Sequence, residues 1–511
     1  MNLDFSRCRL KPFQHQREDV QRVLDEPYFF ITSEMRTGKS KIVIDSAQFL
    51  YEQGVIDRVV VVAPAPVRDV WFDPSLGEFA KHLWASTPAR VSEFHSKVRQ
   101  WNSGPTSPKQ LRIVVTNYEF IRAEARLKTL LSVCNSRTLL VLDESAFVKS
   151  WKSAQTKSCM KLRKQCGRVV LLNGTPIFHS PMDLFSQGNI LHPKILACPY
   201  VTHYLAKYAL RSPILSRGGK QLKTPHGKPL EEITGWTNLE DLQERFAPYT
   251  VRRLQKDCLD LPPKLESVAL TATLKPATWQ AYKEMRDELV VWLQDSQVAV
   301  SATAAVKVLR LSQITSGFLG GVEDEGGSER TTLELGREKL DVLLWFLEQR
   351  FAEDPNAKVV AWCRFRAEMF RALEAVRTMF PDVTVAGIYG NQPRDERLQA
   401  LALLKPETTP AGPVFCIGIE GTGSFGLDMT ASHTCITLSS GYSPGRTAQT
   451  LDRVYGPGQT SPIAYYSILA KGPSGQQTID HIIEKARRAG DDVAQWTASA
   501  WVAALKEKPG A

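Results

Sequence analysis

The sequence predicts an α/β protein of two tandem domains, each with a mostly parallel sheet, and a helical insertion between them. Short apolar runs rich in Val, Ile and Leu recur in both halves of the chain and end in small or polar residues. In the first half, roughly 25 to 50 residues separate successive runs, as in buried parallel strands joined by helices. The segment between the two halves shows helical periodicity instead.

Ten runs are predicted strands. The first block comprises Phe29–Ser33, Arg58–Pro64, Arg112–Asn117, Thr138–Glu144 and Arg168–Gly174. The second block comprises Lys358–Phe365, Val383–Gly390, Val414–Glu420, His433–Ser440 and Ala464–Ala470. Helical patterns follow the first run, through Ile42 to Leu50, and occupy Ala367–Met379. Such strand–helix alternation predicts one α/β layer structure for each block.

The middle of the chain supplies the domain boundaries. Leu289–Gln294 and Ala304–Ile314 have helical patterns, and Gly321–Arg330 is a Gly-rich acidic linker. The Gly-, Pro- and Lys-rich segment Ser212–Pro229 predicts an exposed loop. We therefore expect a first α/β lobe, a helical insertion with linker, a second α/β lobe and a tail, at residues 1–190, 191–330, 331–490 and 491–511.

Composition excludes several classes of protein. Among 511 residues, 64 Lys and Arg against 54 Asp and Glu give a net charge of +10, which favours a polyanionic partner. No apolar run reaches the length of a membrane span, and the first residues lack the apolar core of a signal peptide. Nine cysteines stand singly, without a CxxC pair, which argues against a zinc ribbon or a secreted disulfide scaffold. We expect a cytoplasmic location.

A phosphate-binding turn is predicted where SEMRTGKSK (Ser33–Lys41) joins a strand to a helix. Backbone N–H groups and the helix dipole favour anions at a helix N-terminus. Gly38 permits close approach of a phosphate, Lys39 supplies positive charge, and the Ser40 hydroxyl can ligate Mg²⁺. Ser33 occupies the position of the usual first glycine, so an ordinary surface turn is the alternative.

Two acids end the strand in VLDES (Val141–Ser145). Asp143 is placed to hold Mg²⁺, and Glu144 to accept a proton from the attacking water. The alternative is an acidic strand end that faces solvent. Hydrolysis also needs positive charge opposite the γ-phosphate, and Arg453 in QTLDRVYGPGQ is the candidate, with a surface arginine as the alternative.

In order along the chain, these segments resemble the motifs of the SWI/SNF-related ATPases of the superfamily-two helicases. LKPFQHQ (Leu10–Gln16) resembles the LRPYQ opening, EMRTGKS resembles EMGLGKT, and DESAFVKS (Asp143–Ser150) resembles DEAHxxKN. YTVRRLQKDCLDLPPK (Tyr249–Lys264) is similar to LRRxKxDVxxxLPPK, which general helicases lack. Further similar segments are Ala63–Trp71, Thr116–Phe120, Leu171–Ile177, Asp183–Phe185, Arg337–Leu344, Val359–Phe365, Gly390–Arg397, Glu420–Ser432, Tyr442–Gln459 and Thr478–Arg487.

The resemblance implies two RecA-like P-loop lobes with ATP and Mg²⁺ in the cleft between them. It implies that Gln14 reads the adenine and that Asp428 contacts the ribose. The implied phosphate- and metal-binding residues are Arg36, Thr37, Gly38, Lys39, Ser40 and Asp143, and the implied catalytic residues are Lys39, Glu144, Gln449 and Arg453. Nucleic-acid contacts are expected at Pro66, Arg68, Thr116, Asn117, Arg397, Thr422 and Gly423, with the basic loop Arg217–Lys228 as a further candidate.

Three positions depart from the family pattern. Ala146 replaces the histidine that couples the ATP site to motif III, and Asn173 replaces the threonine that opens motif III. Gly456 replaces the second arginine of motif VI, so transition-state stabilisation is expected to be weaker unless another group compensates. These departures predict slow or partner-dependent turnover.

The leading interpretation is an ATP-dependent translocase on double-stranded DNA, of a compact bacterial or bacteriophage type. A strand-separating DNA or RNA helicase is the close alternative, and the LPPK segment favours the translocase. A weakly active, ATP-gated nucleic-acid-binding module is the second alternative, supported by Ala146 and Gly456.

Overall fold

The chain divides into two compact units, Met1–Leu259 and Asp260–Ala511. The computed structural model describes residues 3–74, 77–94, 110–174, 180–214, 221, 223, 227, 229–295, 301–320, 332–406, 408–423, 428–457, 459, 461–489, 501 and 503–505. Each unit has its own parallel sheet.

Seven parallel strands form the sheet of the first unit, in the order β3-β4-β2-β5-β6-β1-β9. These strands are β1 (Tyr28–Ile31), β2 (Arg58–Ala63), β3 (Ala89–Glu93), β4 (Leu111–Asn117), β5 (Thr138–Leu142), β6 (Arg168–Leu172) and β9 (Thr250–Val251). An antiparallel pair, β7 (Ala209–Pro213) and β8 (Glu231–Trp236), stands apart from this sheet. The Val-rich run of β2 lies in the buried centre, as expected for a strand covered on both faces.

Helices surround this sheet. They are α1 (Gln14–Asp25), α2 (Lys39–Glu52), α3 (Ala65–Phe72), α4 (Glu78–His82), α5 (Glu124–Leu131), α6 (Ala154–Gln165), α7 (Met182–Leu191), α8 (Pro193–Leu196), α9 (Val201–Tyr208), α10 (Leu239–Phe246) and α11 (Gln255–Cys258). Single 3₁₀ turns cover Phe5–Arg7, Phe120–Arg122, Ser145–Val148 and Ala247–Tyr249. Because the strands run parallel, the segments that follow β1, β5 and β6 emerge at one edge of the sheet.

The second unit holds six parallel strands in the order β10-β17-β16-β13-β15-β14. They are β10 (Val268–Thr273), β13 (Lys358–Cys363), β14 (Thr384–Ile388), β15 (Val414–Ile419), β16 (Thr434–Thr437) and β17 (Ala464–Lys471), with a separate antiparallel pair, β11 (Phe318–Leu319) and β12 (Leu333–Glu334). The helices are α12 (Pro276–Asp295), α13 (Ser301–Thr315), α14 (Glu338–Glu353), α15 (Arg366–Met379), α16 (Arg394–Ala402), α17 (Glu420–Gly423), α18 (Pro444–Leu451) and α19 (Ile479–Ala489).

The predicted α/β class with two mostly parallel sheets is confirmed, and each of the ten predicted strands overlaps an observed one. Sequence patterns missed the edge strands β3, β9 and β10. Of the predicted insertion at residues 191–330, β9 joins the first sheet, while β10 and the predicted helical segments in α12 and α13 lie in the second unit. The Ser212–Pro229 segment connects β7 to β8, with residues 215–220, 222, 224–226 and 228 outside the described part.

All nine cysteines are free thiols, and eight of them are buried. Among the described helices, none has both the length and the apolar character needed to cross a bilayer.

Candidate nucleotide site

The loop after β1 has the geometry of a phosphate-binding turn. Gly38 caps the N-terminus of α2 with φ at 86°, in the left-handed region that favours glycine. A Cβ atom at this position would also collide with the side-chain amide of Gln16. The preceding Thr37 is buried, and its hydroxyl donates to the Glu34 carbonyl at 2.8 Å. The turn is therefore fixed, with the first N–H groups of α2 at its end.

Lys39 lies folded over this loop. Its ammonium donates to the backbone carbonyls of Ser33 and Glu34, each at 3.0 Å. These bonds hold the positive charge beside the N-terminus of α2, where an anion is electrostatically favoured. The ammonium of Lys39, the predicted phosphate-binding lysine, therefore lies against the loop after β1. Ser40 follows it in the first turn of α2.

Asp143 follows β5 and has both carboxylate oxygens engaged. Oδ1 accepts the Glu144 N–H at 2.9 Å, and Oδ2 accepts the indole N–H of Trp71 at 2.8 Å. The Tyr118 hydroxyl donates to the Asp143 backbone carbonyl at 2.7 Å. Asp143 is only 9% exposed, so these bonds fix its side chain in one orientation.

Glu144 and Lys39 converge on Gly174, which follows β6. A Cβ atom added to Gly174 would lie 3.6 Å from Glu144 Oε1 and 3.7 Å from Lys39 Nζ. A carboxylate and an ammonium thus lie beside the same face of Gly174, where the Met35 Cγ would be 3.2 Å from the added Cβ atom. Glu144 itself has φ at 49°, an uncommon backbone conformation for a residue other than glycine and one often found at functional sites.

These residues fit a magnesium nucleotide. Mg²⁺ prefers oxygen ligands and is usually held by one or two protein groups together with phosphates. The Ser40 hydroxyl and the Asp143 carboxylate are such groups, and the glycine turn with Lys39 suits the phosphates. ATP and Mg²⁺ at this loop stay a prediction, which the chemistry of these residues permits.

Gln14, predicted to read the adenine, is exposed on α1 and donates to Glu18 Oε1 at 3.3 Å. Two positions along the chain, the buried Gln16 donates to the Thr37 carbonyl of the phosphate turn at 3.0 Å. Its Oε1 accepts the Phe13 N–H at 3.0 Å. The sequence contains both glutamines on one helix, and only the buried position of Gln16 shows that it is the one that contacts the turn.

A second element that sequence reasoning left without a role is the segment from β9 to α11. The Gln255 amide donates to the Met35 carbonyl at 2.8 Å, and its backbone N–H donates to Glu34 Oε2 at 2.7 Å. The Arg253 N–H donates to Ser33 Oγ at 3.1 Å, and the Arg253 carbonyl accepts the Glu34 N–H at 2.9 Å. This segment therefore buttresses the phosphate turn through its hydrogen bonds to Ser33, Glu34 and Met35.

We expect Gln255→Ala to weaken nucleotide binding about tenfold, because the Met35 carbonyl loses its partner and the turn becomes less ordered. Titration of a fluorescent ATP analogue measures this loss. Gln280→Ala, at an exposed glutamine on α12, is the matched control. Equal affinities for the two variants would contradict the buttressing role.

The loop after Asp143 is joined to α7. The buried hydroxyl of Ser145 donates to Gln187 Oε1 at 2.7 Å, and the Gln187 amide donates to the Asp183 carbonyl at 2.9 Å. Ala146, at the expected histidine position, offers no polar side chain. The serine therefore supplies a connection from this loop to the helix that follows Gly174. Thr175–Ile177 of the predicted motif III lie outside the described residues.

In the second unit, Asp428 and Arg453 belong to one hydrogen-bonded group. Asp428 Oδ1 accepts the Thr430 hydroxyl at 2.9 Å, and the Met429 N–H donates to the Arg453 carbonyl at 3.2 Å. The buried Gln459 amide donates to the Thr430 carbonyl at 2.9 Å. The predicted motif V and motif VI residues are therefore neighbours within this unit.

Glu420 anchors α18, which carries the buried Gln449. The Glu420 carboxylate accepts hydrogen bonds from the Gly441 N–H and the Thr447 hydroxyl. The Glu420 backbone carbonyl accepts the Thr450 hydroxyl at 3.0 Å. Burial raises the pKa of Glu420, and the bonds from Thr447 and Gly441 oppose that rise. The end of β15 and the helix that precedes Arg453 are thus held together.

The LPPK segment packs beside Gly456. Lys264 forms a 2.6 Å ion pair with Asp452 and lies 4.4 Å from the centre of the Tyr455 ring. The Tyr455 hydroxyl donates to the Pro262 carbonyl at 2.8 Å. These contacts fix the chain around the position where the second motif VI arginine is replaced by glycine.

The predicted nucleic-acid residues have mixed placements. The Thr116 and Asn117 side chains are buried. The Thr116 hydroxyl donates to the Phe94 carbonyl at 3.3 Å, and Asn117 Oδ1 accepts the Phe120 N–H at 2.7 Å. Arg68 pairs with Glu93 at 3.0 Å and stays partly exposed. Arg397 is partly exposed on α16. The side chains of Pro66, Thr422 and Gly423 lie outside the described residues, as do Arg217 and Lys228 of the basic loop. DNA contact by this set stays a prediction.

Comparison with known proteins decides the family. The model of the SNF2-related domain matches residues 28–317 of this chain. The chain belongs to the SNF2-related domain family. This membership confirms the resemblance to SWI/SNF-related ATPases that the motifs predicted.

Relatives of this SNF2-related chain include the mouse (Mus musculus) protein "DNA annealing helicase and endonuclease ZRANB3", 23% identical over 474 residues, covering 92% of this chain and 39% of the relative. Another is the Xenopus tropicalis "SWI/SNF-related matrix-associated actin-dependent regulator of chromatin subfamily A-like protein 1", 23% identical, covering 94% of this chain and 44% of the relative. The chain thus spans less than half the length of either. A solved SWI2/SNF2 ATPase core from Sulfolobus solfataricus in complex with dsDNA aligns with a TM-score of 0.42 and 19% identity, covering 99% of this chain and 97% of that chain.

Proposed function

We propose that this SNF2-related chain hydrolyses ATP and uses the cycle to translocate along double-stranded DNA. The observation that carries the proposal is the convergence of Lys39 and Glu144 beside Gly174, in a loop region that also holds the fixed Asp143. Family membership and the names of the relatives, a DNA annealing helicase among them, favour DNA over other polyanions. The net charge of +10 favours the same partner.

In this proposal, each residue of the first unit has a separate task. Lys39 exchanges the Ser33 and Glu34 carbonyls for phosphate oxygens, and the N-terminus of α2 binds the same anion. Ser40 and Asp143 would hold Mg²⁺, which when bound would supply positive charge beside the phosphates. Glu144 accepts the proton of the attacking water. Gln16 would hold the phosphate turn in place through its bond to the Thr37 carbonyl, and Gln14 keeps its proposed role of reading the adenine.

The second unit completes the proposed chemistry. Arg453 and Gln449 would stabilise the transferring phosphoryl group, and Asp428 would contact the ribose. Opening and closing around the nucleotide would move DNA, as in other enzymes that close on a ligand. DNA phosphates would meet Arg68 and Arg397, partly exposed arginines, so binding is expected to be independent of sequence and sensitive to salt. A cytoplasmic location belongs to the same proposal.

The test is an ATPase assay with blunt duplex DNA, single-stranded DNA and RNA, at two salt concentrations. We expect duplex DNA to stimulate turnover most, and the stimulation to fall steeply as salt rises. Stimulation by single strands alone, with displacement of a labelled strand, would replace the translocase by a strand-separating helicase. Less than one turnover per chain on every nucleic acid would favour the ATP-gated binding module.

A further inference from the structure

The guanidinium of Arg253 is fixed beside helix α1. Its Nη2 and Nε donate to Asp19 Oδ1 at 2.7 and 3.2 Å, and Nε lies 3.4 Å from Oδ2. Asp19 is completely buried on α1, and the Arg253 backbone bonds to Ser33 and Glu34 of the phosphate turn. Charge-assisted bonds to a buried carboxylate leave the guanidinium little freedom to move.

Glu18 connects this guanidinium to Gln14, the first residue of α1. Arg253 Nη2 donates to Glu18 Oε2 at 2.9 Å, and Gln14 Nε2 donates to Glu18 Oε1 at 3.3 Å. Gln14 and Glu18 are four positions apart on one helix, so their side chains share a face, and both are exposed. The two oxygens of Glu18 thus join Arg253 to Gln14, and none of the sequence motifs singled out Glu18.

The bond to Glu18 determines which way the Gln14 amide faces. A carboxylate paired with a guanidinium only accepts hydrogen bonds, so it can hold the NH₂ group of an amide but not the carbonyl oxygen. Gln14 Oε1 is therefore turned away from Glu18. The amide nitrogen carries two hydrogens, and one of them stays available for another acceptor.

This orientation distinguishes the two purine bases. The edge of adenine that carries N6 and N7 presents an amino donor and an acceptor, whereas the same edge of guanine presents two acceptors, O6 and N7. An amide with its oxygen turned outward and one N–H left suits adenine, and its oxygen opposes guanine O6. An amide that could turn over would offer its NH₂ group to O6 instead.

We propose that Glu18, held by Arg253, is a positioning residue that fixes the Gln14 amide and so makes the site select adenine over guanine. Glu18 does this without contacting the base itself. The inference rests on the proposed function, because it requires that Gln14 reads the base of a bound nucleotide.

The experiment measures competition of ATP and of GTP, each with Mg²⁺, against a fluorescent ADP analogue bound to the full chain. The variants are Glu18→Gln, Glu18→Ala, Gln14→Ala and the double variant Gln14→Ala/Glu18→Gln. Glu284→Gln is the matched control, because Glu284 accepts the Gln280 amide at 2.8 Å with the same four-residue spacing on the exposed face of α12.

We expect both Glu18 variants to bind GTP about 3- to 10-fold more tightly than the wild type, the worth of one exposed hydrogen bond, with ATP affinity changed less than about twofold. Gln14→Ala should lose ATP affinity by a similar factor. The double variant should bind both nucleotides like Gln14→Ala, since Glu18 acts only through Gln14. The ion pair between Arg253 and Asp19 does not involve Glu18, so these variants should keep the wild-type melting temperature.

A gain in GTP affinity is an outcome that general damage to the site does not produce. GTP affinity of Glu18→Gln equal to that of Glu284→Gln, or an equal loss of ATP and GTP binding, would overturn the role of Glu18 and leave the ATP site standing. A wild-type chain that binds ATP and GTP equally, with no change in Gln14→Ala, would instead overturn the proposed contact of Gln14 with adenine, and a chain that binds neither nucleotide would overturn the proposed function.

Discussion

Glu144→Gln is expected to leave ATP binding intact and to lower the turnover number by about 10²- to 10⁴-fold, the usual contribution of a general base. Glu144 follows Asp143 at the end of β5 and faces the space beside Gly174 together with Lys39. Glutamine has nearly the same shape, so the packing around Gly174 should survive, whereas an amide cannot accept the proton of the attacking water.

Single-turnover hydrolysis of radiolabelled ATP measures the chemical step, and a fluorescent analogue measures binding to the same preparation. Glu119→Gln, an exposed acid near the end of β4, is the control and should keep wild-type turnover. Equal rates for Glu144→Gln and this control would remove Glu144 from the chemistry. A parallel loss of binding would show that Glu144 acts in nucleotide affinity, not in proton transfer.

The strands and the phosphate turn were predictable because local chemistry determines them. A run such as Val59–Val62 has no stable place except the centre of a sheet covered on both faces, and the structure buries it completely. Gly38 and Lys39 follow a strand and begin a helix, which is the context that gives the turn its function. The edge strands β3 and β9 escaped prediction because they have few apolar residues or are very short.

The supporting residues were not predictable, because they reach the site from distant parts of the chain. Gln255 lies 220 positions after Met35, and no local pattern shows that its amide bonds to that carbonyl. Gln14 and Gln16 sit on the same helix, and only tertiary burial distinguishes them. Thr116 and Asn117 are expected nucleic-acid contacts at a strand end, yet both side chains are buried, with hydrogen bonds to the Phe94 carbonyl and from the Phe120 N–H.

Arg453→Ala is expected to lower turnover by about 10³-fold or more, the lower end of what a positive charge on the transferring phosphoryl group contributes. With glycine at 456, Arg453 is the remaining motif VI arginine among the predicted catalytic residues, so its loss should be severe. ATP affinity should change much less, because this charge acts mainly on the transition state.

Arg453 is only 5% exposed, so alanine also leaves a gap, and Arg453→Lys separates charge from packing. Lysine keeps one positive charge but lacks the planar, forked set of N–H donors of the guanidinium. We therefore expect Arg453→Lys to retain part of the wild-type turnover. Arg488→Ala, at an arginine with 59% of its side chain exposed on α19, is the control for loss of positive charge. Single-turnover rates decide the outcome. If Arg453→Ala, folded by its melting curve, hydrolyses ATP like Arg488→Ala, then the first unit alone performs the chemistry, and the proposed part of the second unit in hydrolysis is wrong.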